Sequence, residues 1–248
     1  MTFRNIYNEW HSEFPALSKY SERTLFMRLN PFLIGLRFSK AWPGKEYYVL
    51  CFEIIPLWEE DSKLFGRPLC YENLKVGKAC SAIEYKRHNL YFKEALECTK
   101  SQFGNILKKE VSFRNLMNQI SKITKYNPYD WIDTFQLQLG LAMYFNRQDI
   151  LEIIKKSITE EIWHWVNKPK VDINNKTISA EEWRKKIYRG LEDRNKFMET
   201  IEMNCQRPKV TKLNVGHIIG VDEYTVDEYT KEETHQSWRD RLFSFFFK

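Results

Sequence analysis

Two kinds of periodicity divide the chain. Between Phe32 and Phe38 the apolar side chains Phe32, Ile34, Leu36 and Phe38 alternate with Leu33, Gly35, Arg37 and Ser39. Period 2 predicts a strand, because successive strand side chains point to opposite faces. The turn Trp42-Pro43-Gly44-Lys45 comes next. Pro presets φ at one central position and Gly accepts a positive φ at the other, as a type II turn needs. Residues 47–58 are rich in aromatic and β-branched side chains and predict the returning strand. Placing Tyr48, Leu50, Phe52 and Ile54 on the face of Phe32, Ile34, Leu36 and Phe38 puts Arg37 and Glu53 together on the other face. Pro56 lacks an N–H for the ladder and is expected to end regular pairing. A short helix ending near Pro15 precedes this hairpin. A loop-rich stretch over 59–80, with a short strand around Leu69-Cys70-Tyr71, follows it.

From Ala82 the period changes to 3.6. Ile83, Leu90, Tyr91, Ala95, Cys98, Phe103, Ile106 and Leu107 recur at helical spacing. Phe113, Leu116, Met117, Ile120 and Ile123 predict a second helix, broken at Asn127-Pro128. Residues 130–145 are apolar on most sides and predict a central helix. A short link ending in Asp149, an expected N-cap, joins it to the ladder Ile150, Ile154, Ile158, Ile162 and Val166. Lys168-Pro169 ends that helix, and 168–178 reads as a polar loop. Ser179 and Glu182 have the spacing of a capping box, opening a helix that is expected to run to about Cys205. Residues 215–221 predict one late strand. Val-Asp-Glu-Tyr-Thr occurs twice in tandem, at 221–225 and 226–230, and is expected to be an exposed, loosely held span.

The expected fold class is therefore α+β. A hairpin over 32–58 with short strands forms an N-terminal antiparallel unit, 1–80, and a helical body of about five helices covers 81–220. An acidic span with an aromatic tail occupies 221–248. The chain has 248 residues, 43% hydrophobic and 15% aromatic, enough to bury a core without metals or disulfides. Mean hydropathy is −0.56, and no stretch of about 18 apolar residues suggests a membrane span. No apolar leader segment is visible near Met1, so a cytoplasmic location is expected.

Charge is unevenly spread. The chain carries +6, but 221–248 holds seven acids against four bases, a net −3 that leaves +9 on the rest. A basic body can attract nucleic acid, although net charge by itself argues for solubility and non-specific association. The most basic helical run holds Arg184, Lys185 and Arg189, and Tyr188 is interleaved with them. The tail is rich in aromatic residues, among them Trp238 and Phe245, which are expected to dock on the body or on a partner.

Chemistry-bearing patterns are sparse. Cys51, Cys70, Cys80, Cys98 and Cys205 include no close pair, and the five histidines form no metal-ligand spacing, so no metal is expected. With 9 glycines and no phosphate-cradling Gly motif, no cofactor is expected either. The sharpest catalytic alternative is an acid-x-Lys step at Glu84 and Lys86. Asp61 would be a second carboxylate for the divalent metal of a nuclease. Chance supplies about three such triplets in this composition, and an acid where a helix begins is explained by the helix dipole. The absence of other catalytic signatures and the aromatic load favour a non-catalytic protein that binds another protein. The Lys-rich composition suggests a bacterial setting. An immunity-type inhibitor or an accessory component of a defence or toxin system is the expected kind of protein. The alternative is a nucleic-acid-binding protein or a nuclease using Asp61, Glu84 and Lys86.

Overall fold

The computed structural model describes residues 2–40, 46–60, 68–76, 79–80, 82–123, 130–165, 171–173 and 176–234. The turn at 42–45, Asn127-Pro128, Lys168-Pro169 and the aromatic tail from 235 onward lie outside these described residues. The first element, α1 (Phe3–Glu13), starts where the Thr2 hydroxyl accepts the Asn5 N–H, and it buries Ile6, Tyr7 and Trp10. An antiparallel meander follows: β1 (Ser18–Ser21), β2 (Thr24–Leu29), β3 (Phe32–Lys40) and β4 (Tyr47–Pro56). The far edge of β4 is shared by β5 (Cys70–Asn73) and, beyond it, β8 (Ile83–Glu84). Between them β6 (Lys75–Val76) and β7 (Ala79–Cys80) form a small hairpin.

The central register is the one that the alternation predicts. Ile34 lies opposite Ile54, Leu36 opposite Phe52 and Phe38 opposite Leu50. On that face the Phe38 ring meets Phe3, Tyr7 and Trp10 of α1, while Phe52 stacks on Phe103 with centroids 4.7 Å apart. Arg37 and Glu53 share the other face, joined at 2.5 Å. That other face is also buried at Phe26, Leu33, Cys51 and Ile55. A strand buried on both faces loses its polar alternation, so Thr24–Leu29 carries no period-2 signal. Gly35 sits opposite Phe26 in the ladder, and a Cβ there would stand 1.9 Å from the Leu25 carbonyl oxygen.

A 3-10 turn at Tyr85–Arg87 leads into α2 (His88–Phe103). Then come β9 (Glu110–Ser112), α3 (Phe113–Ile123), α4 (Asp130–Tyr144) and α5 (Gln148–Trp165). The hairpin β10 (Val171–Ile173) with β11 (Lys176–Ile178) precedes α6 (Ala180–Glu192) and α7 (Arg194–Cys205). Finally β12 (His217–Ile219) pairs in parallel with β9, and α8 (Val226–Thr234) ends the described chain. The fold is α+β, an N-terminal antiparallel sheet followed by a mainly helical body. Of the described residues, no helix is long and apolar enough to cross a membrane.

All five expected helical segments are present, with four local differences. The first begins at His88 rather than Ala82, because Ile83 and Glu84 complete the ladder of β4. The segment over 180–205 is two helices, because Asp193 leaves helical geometry and its carboxylate accepts the Lys196 N–H as a new N-cap. Asp149 lies inside the first turn of α5 instead of capping it, and its carboxylate is held by Arg147. The expected polar loop over 168–178 contains the short hairpin β10–β11.

The tandem repeat is also more firmly held than the pattern implies. Tyr224 and Tyr229 are both buried; Tyr224 packs on Phe113, and the Tyr229 hydroxyl bonds to Gln138 Oε1 at 3.1 Å. Arg147 donates to the carbonyl oxygens of Val221 and Tyr224. Thr225 and Glu228 form a reciprocal cap, and Glu228 also pairs with Arg114. The two copies thus take different structures, a turn and then a helix, because β12 and the Arg147 anchor fix where the first copy must end.

Candidate functional site

The acid-x-Lys step sits in a strand context, since Glu84 pairs with Tyr47 across the edge of β4. Its side chains are engaged elsewhere. Glu84 Oε2 lies 3.4 Å from Arg87 Nε, and Lys86, with its side chain 74% exposed, lies 3.6 Å from Glu46. Asp61 is outside the described residues. Among the described residues no group of three His, Cys, Asp or Glu side chains stands where it can hold a metal ion.

The basic run on α6 is diluted by its own acids. Arg184 Nη2 bonds to Glu181 at 2.6 Å, and Lys185 lies 3.9 Å from the same carboxylate. Arg189 is exposed on the last turn. Arg194 turns inward instead, donating to the carbonyls of Met143 and Tyr144 at the end of α4. Trp238 and Phe245 belong to the tail outside the described residues.

Two polar clusters are built by the sheet. On the Arg37 face, Cys51 Sγ lies 2.9 Å from the Tyr71 hydroxyl and 3.0 Å from Asn73 Oδ1. Burial pushes the Cys51 thiol up from its usual pKa, which disfavours the nucleophilic thiolate. Burial likewise raises the Glu53 carboxyl, against the hydrogen bond from Arg37. Glu53 is 1% exposed, and among the described residues its Oε2 has no hydrogen-bond partner.

The second cluster is a buried chain running across α1, β4 and α2. Trp10 Nε1 donates to the Tyr48 hydroxyl at 3.2 Å, that hydroxyl lies 2.9 Å from His88 Nδ1, and His88 Nε2 lies 3.0 Å from Glu9 Oε2. The Glu9 carboxylate can only accept, so Nε2 carries the imidazole proton. In the neutral ring Nδ1 is then the acceptor, so the Tyr48 hydroxyl donates to it while its oxygen accepts from the indole N–H, which can only donate. Burial lowers the His88 pKa, with Glu9 opposing, and the ring is held neutral in this tautomer. The chain is sealed from solvent at Trp10, Tyr48 and His88, so it links elements rather than meeting a substrate. Nothing in the local pattern marks His88, because its partners lie 40 and 79 positions away.

Fixing His88 inward sets the phase of α2. The buried stripe is His88, Ala95, Thr99 and Phe103, with Phe92 and Leu96 partly buried beside it. Leu90 and Tyr91, which the helical spacing assigns to the core, therefore face solvent at 72% and 38% exposure. The ion pairs Glu84–Arg87 and Glu46–Lys86 adjoin them in the preceding turn. An apolar pair on a rigid first turn, beside charged groups, has the anatomy of a contact surface.

Comparisons of the chain with protein-family models, with curated proteins and with solved structures found no match.

Proposed function

We propose that this is a non-catalytic, cytoplasmic protein that works by binding another protein, in the manner of an immunity-type inhibitor or an accessory component of a bacterial defence or toxin system. The exposed pair Leu90–Tyr91 carries the reading. An isolated exposed Leu is ordinary, but here a Leu and a Tyr stand side by side on a helix whose opposite stripe is locked into the core. Glu84 and Lys86 of the preceding turn are already paired within the chain, so a partner covering Leu90 and Tyr91 leaves no carboxylate of the Glu84 step stranded. The thiols Cys51, Cys70 and Cys205 are free and their pKa values are raised by burial, which suits a structural role for them.

The test is capture from soluble extract of the native host with the full chain as bait, scored by mass spectrometry. The double variant Leu90→Ser/Tyr91→Ser should lose a specific partner at least about tenfold, which corresponds to about 1.4 kcal/mol, without a change in melting temperature. Equal capture by both baits would remove this surface as the contact.

A further inference from the structure

A second surface has different chemistry. Residues 14–21 and 203–221 contain no Asp or Glu, although they are about 190 positions apart in the chain. The fold sets them side by side. The Asn214 N–H donates to Ser18 Oγ at 2.8 Å, and its side-chain amide donates to the Pro15 and Ala16 carbonyls, each at 3.2 Å. Lys209 Nζ stands over the Tyr20 ring at 5.7 Å, and Arg207 lies close enough to influence the same phenol. Lys19, Lys209 and Lys212 are all exposed, and among the described residues none of the three has an acidic partner. Lys19 bonds to neutral Asn8 Oδ1 at 2.7 Å, which leaves its charge uncompensated.

A cleft of about 420 Å³ opens between these stretches, lined by His11, Ser12, Ser18, Lys19 and Asn214 among others. The Ser18 Oγ accepts from the Asn214 N–H and keeps its own O–H as a donor, and both Ser18 and Lys19 line the cleft. From these two acid-free stretches and their lysines we infer that Lys19, Lys209 and Lys212, with the Ser18 hydroxyl, bind the phosphodiester backbone of a nucleic acid without reading its sequence. Three exposed ammonium groups with no acidic partner among the described residues, set beside hydroxyl and amide donors, favour a phosphate polyanion. The exposed side chains of the surface include Ser12, Lys19, Lys209, Thr211, Lys212 and Asn214, and the same two stretches also expose Pro15, Met203, Val215 and Ile219. Backbone contacts to nucleic acid are made by Lys ammonium groups, hydroxyls and side-chain amides of this kind. The surface is separate from Leu90–Tyr91 and does not depend on it.

The experiment is fluorescence anisotropy of the full chain with a labelled duplex and a labelled single strand of about 20 nucleotides, over a salt series. Three phosphate contacts predict a log K against log salt slope of about −2.7 on the duplex and about −2.1 on the single strand. Lys209→Ala/Lys212→Ala should weaken binding about tenfold or more and flatten the duplex slope by about 1.8. These side chains are exposed, so the variant keeps its fold, checked by its melting temperature. Lys185→Ala/Arg189→Ala on α6 should bind as the unaltered chain does. Leu90→Ser/Tyr91→Ser should too, so loss of the protein-binding reading and loss of this one are told apart. The inference is overturned by no binding at about 50 mM salt, by an unchanged Lys209→Ala/Lys212→Ala variant, or by loss confined to the α6 variant. Poly-glutamate that displaces the oligonucleotide at equal charge concentration would assign the surface to an acidic protein instead.

Discussion

His88 shows how one buried side chain can couple stability to pH. In the folded chain Glu9 accepts from Nε2–H, so Nδ1 of the neutral ring is the acceptor for the Tyr48 hydroxyl, whose oxygen in turn accepts from Trp10. A second proton on the ring would turn Nδ1 into a donor and leave the Tyr48 O–H without an acceptor in the core. The folded pKa is depressed below the usual value of 6.5, so the unfolded chain binds more protons as pH falls. His88 therefore contributes stability that is fully present above that value and lost progressively below it. Urea midpoints measured across this window should fall with acid, and His88→Gln should flatten that part of the profile. On the other face of the sheet, Glu53 depends on Arg37, whose side chain is 36% exposed. Arg37→Ala should cost about 1–3 kcal/mol at neutral pH, less than the ~3–5 kcal/mol of a fully buried pair because Arg37 is partly in water. The loss should shrink towards pH 4, where the carboxyl of Glu53, already raised by burial, takes up a proton and no longer needs a cation. A loss that is the same at both values would mean that Glu53 stays ionised without Arg37.

At the scale of elements, β2 and β3 approach so closely that position 35 has no room for a side chain. Gly35→Ala drives a Cβ against the Leu25 carbonyl and the Phe26 ring, neither of which can yield without moving the ladder. A destabilisation of about 3 kcal/mol is expected, read as a fall in the denaturation midpoint. The end of the described chain offers a contrasting case, in which a single cation organises a turn. Arg147 joins the head of α5 to the carbonyls of residues 221 and 224 and is itself oriented by Asp149. Arg147→Ala should speed amide exchange across 221–230 by at least about tenfold while leaving the sheet protected, since local opening needs only the contacts of that unit. Uniform acceleration over the whole chain would show instead that the anchor supports global stability.

Across the whole molecule, the sheet and the helical body are tied by a few buried polar bonds set into a continuous apolar core. Asn204 on α7 is fully buried and donates to the carbonyls of Leu57 and Glu59, at 2.8 and 2.9 Å, just past the end of β4. Asn204→Ala leaves both carbonyls short of that donor and should cost about 2–3 kcal/mol, with a single cooperative transition retained. Asn204→Asp should be at least as damaging, because a carboxylate cannot donate to a carbonyl. A second tie is the parallel pairing of β9 with β12, more than 100 positions apart, which sets the Phe113 end of α3 against Tyr224 of the tandem repeat.

What was legible from residue order alone is what nearest neighbours along the chain decide. The alternation of Phe32 to Phe38 against Leu50 to Ile54 sets the hairpin register, since a one-residue slip would send every apolar side chain to the wrong face. The Ser179–Glu182 box and the Ile150–Ile154–Ile158 ladder are equally local, and each is realised. The strand β2 was not legible, because burial on both faces erases the polar half of its pattern. The phase of α2 was not legible either. Its periodicity admits Leu90 and Tyr91 to the core as readily as His88, until Glu9 and Tyr48 draw His88 inward. The most basic run in the sequence, on α6, carries its own acids. The acid-free cluster forms only when residues 14–21 meet 203–221, a juxtaposition made by hydrogen bonds from Asn214 and invisible to any window along the chain. Short-range sterics and periodicity thus specify the elements. Which faces are left for partners is decided by contacts between residues far apart in sequence, because only tertiary packing determines what each side chain is shielded from and which charges it finds beside it.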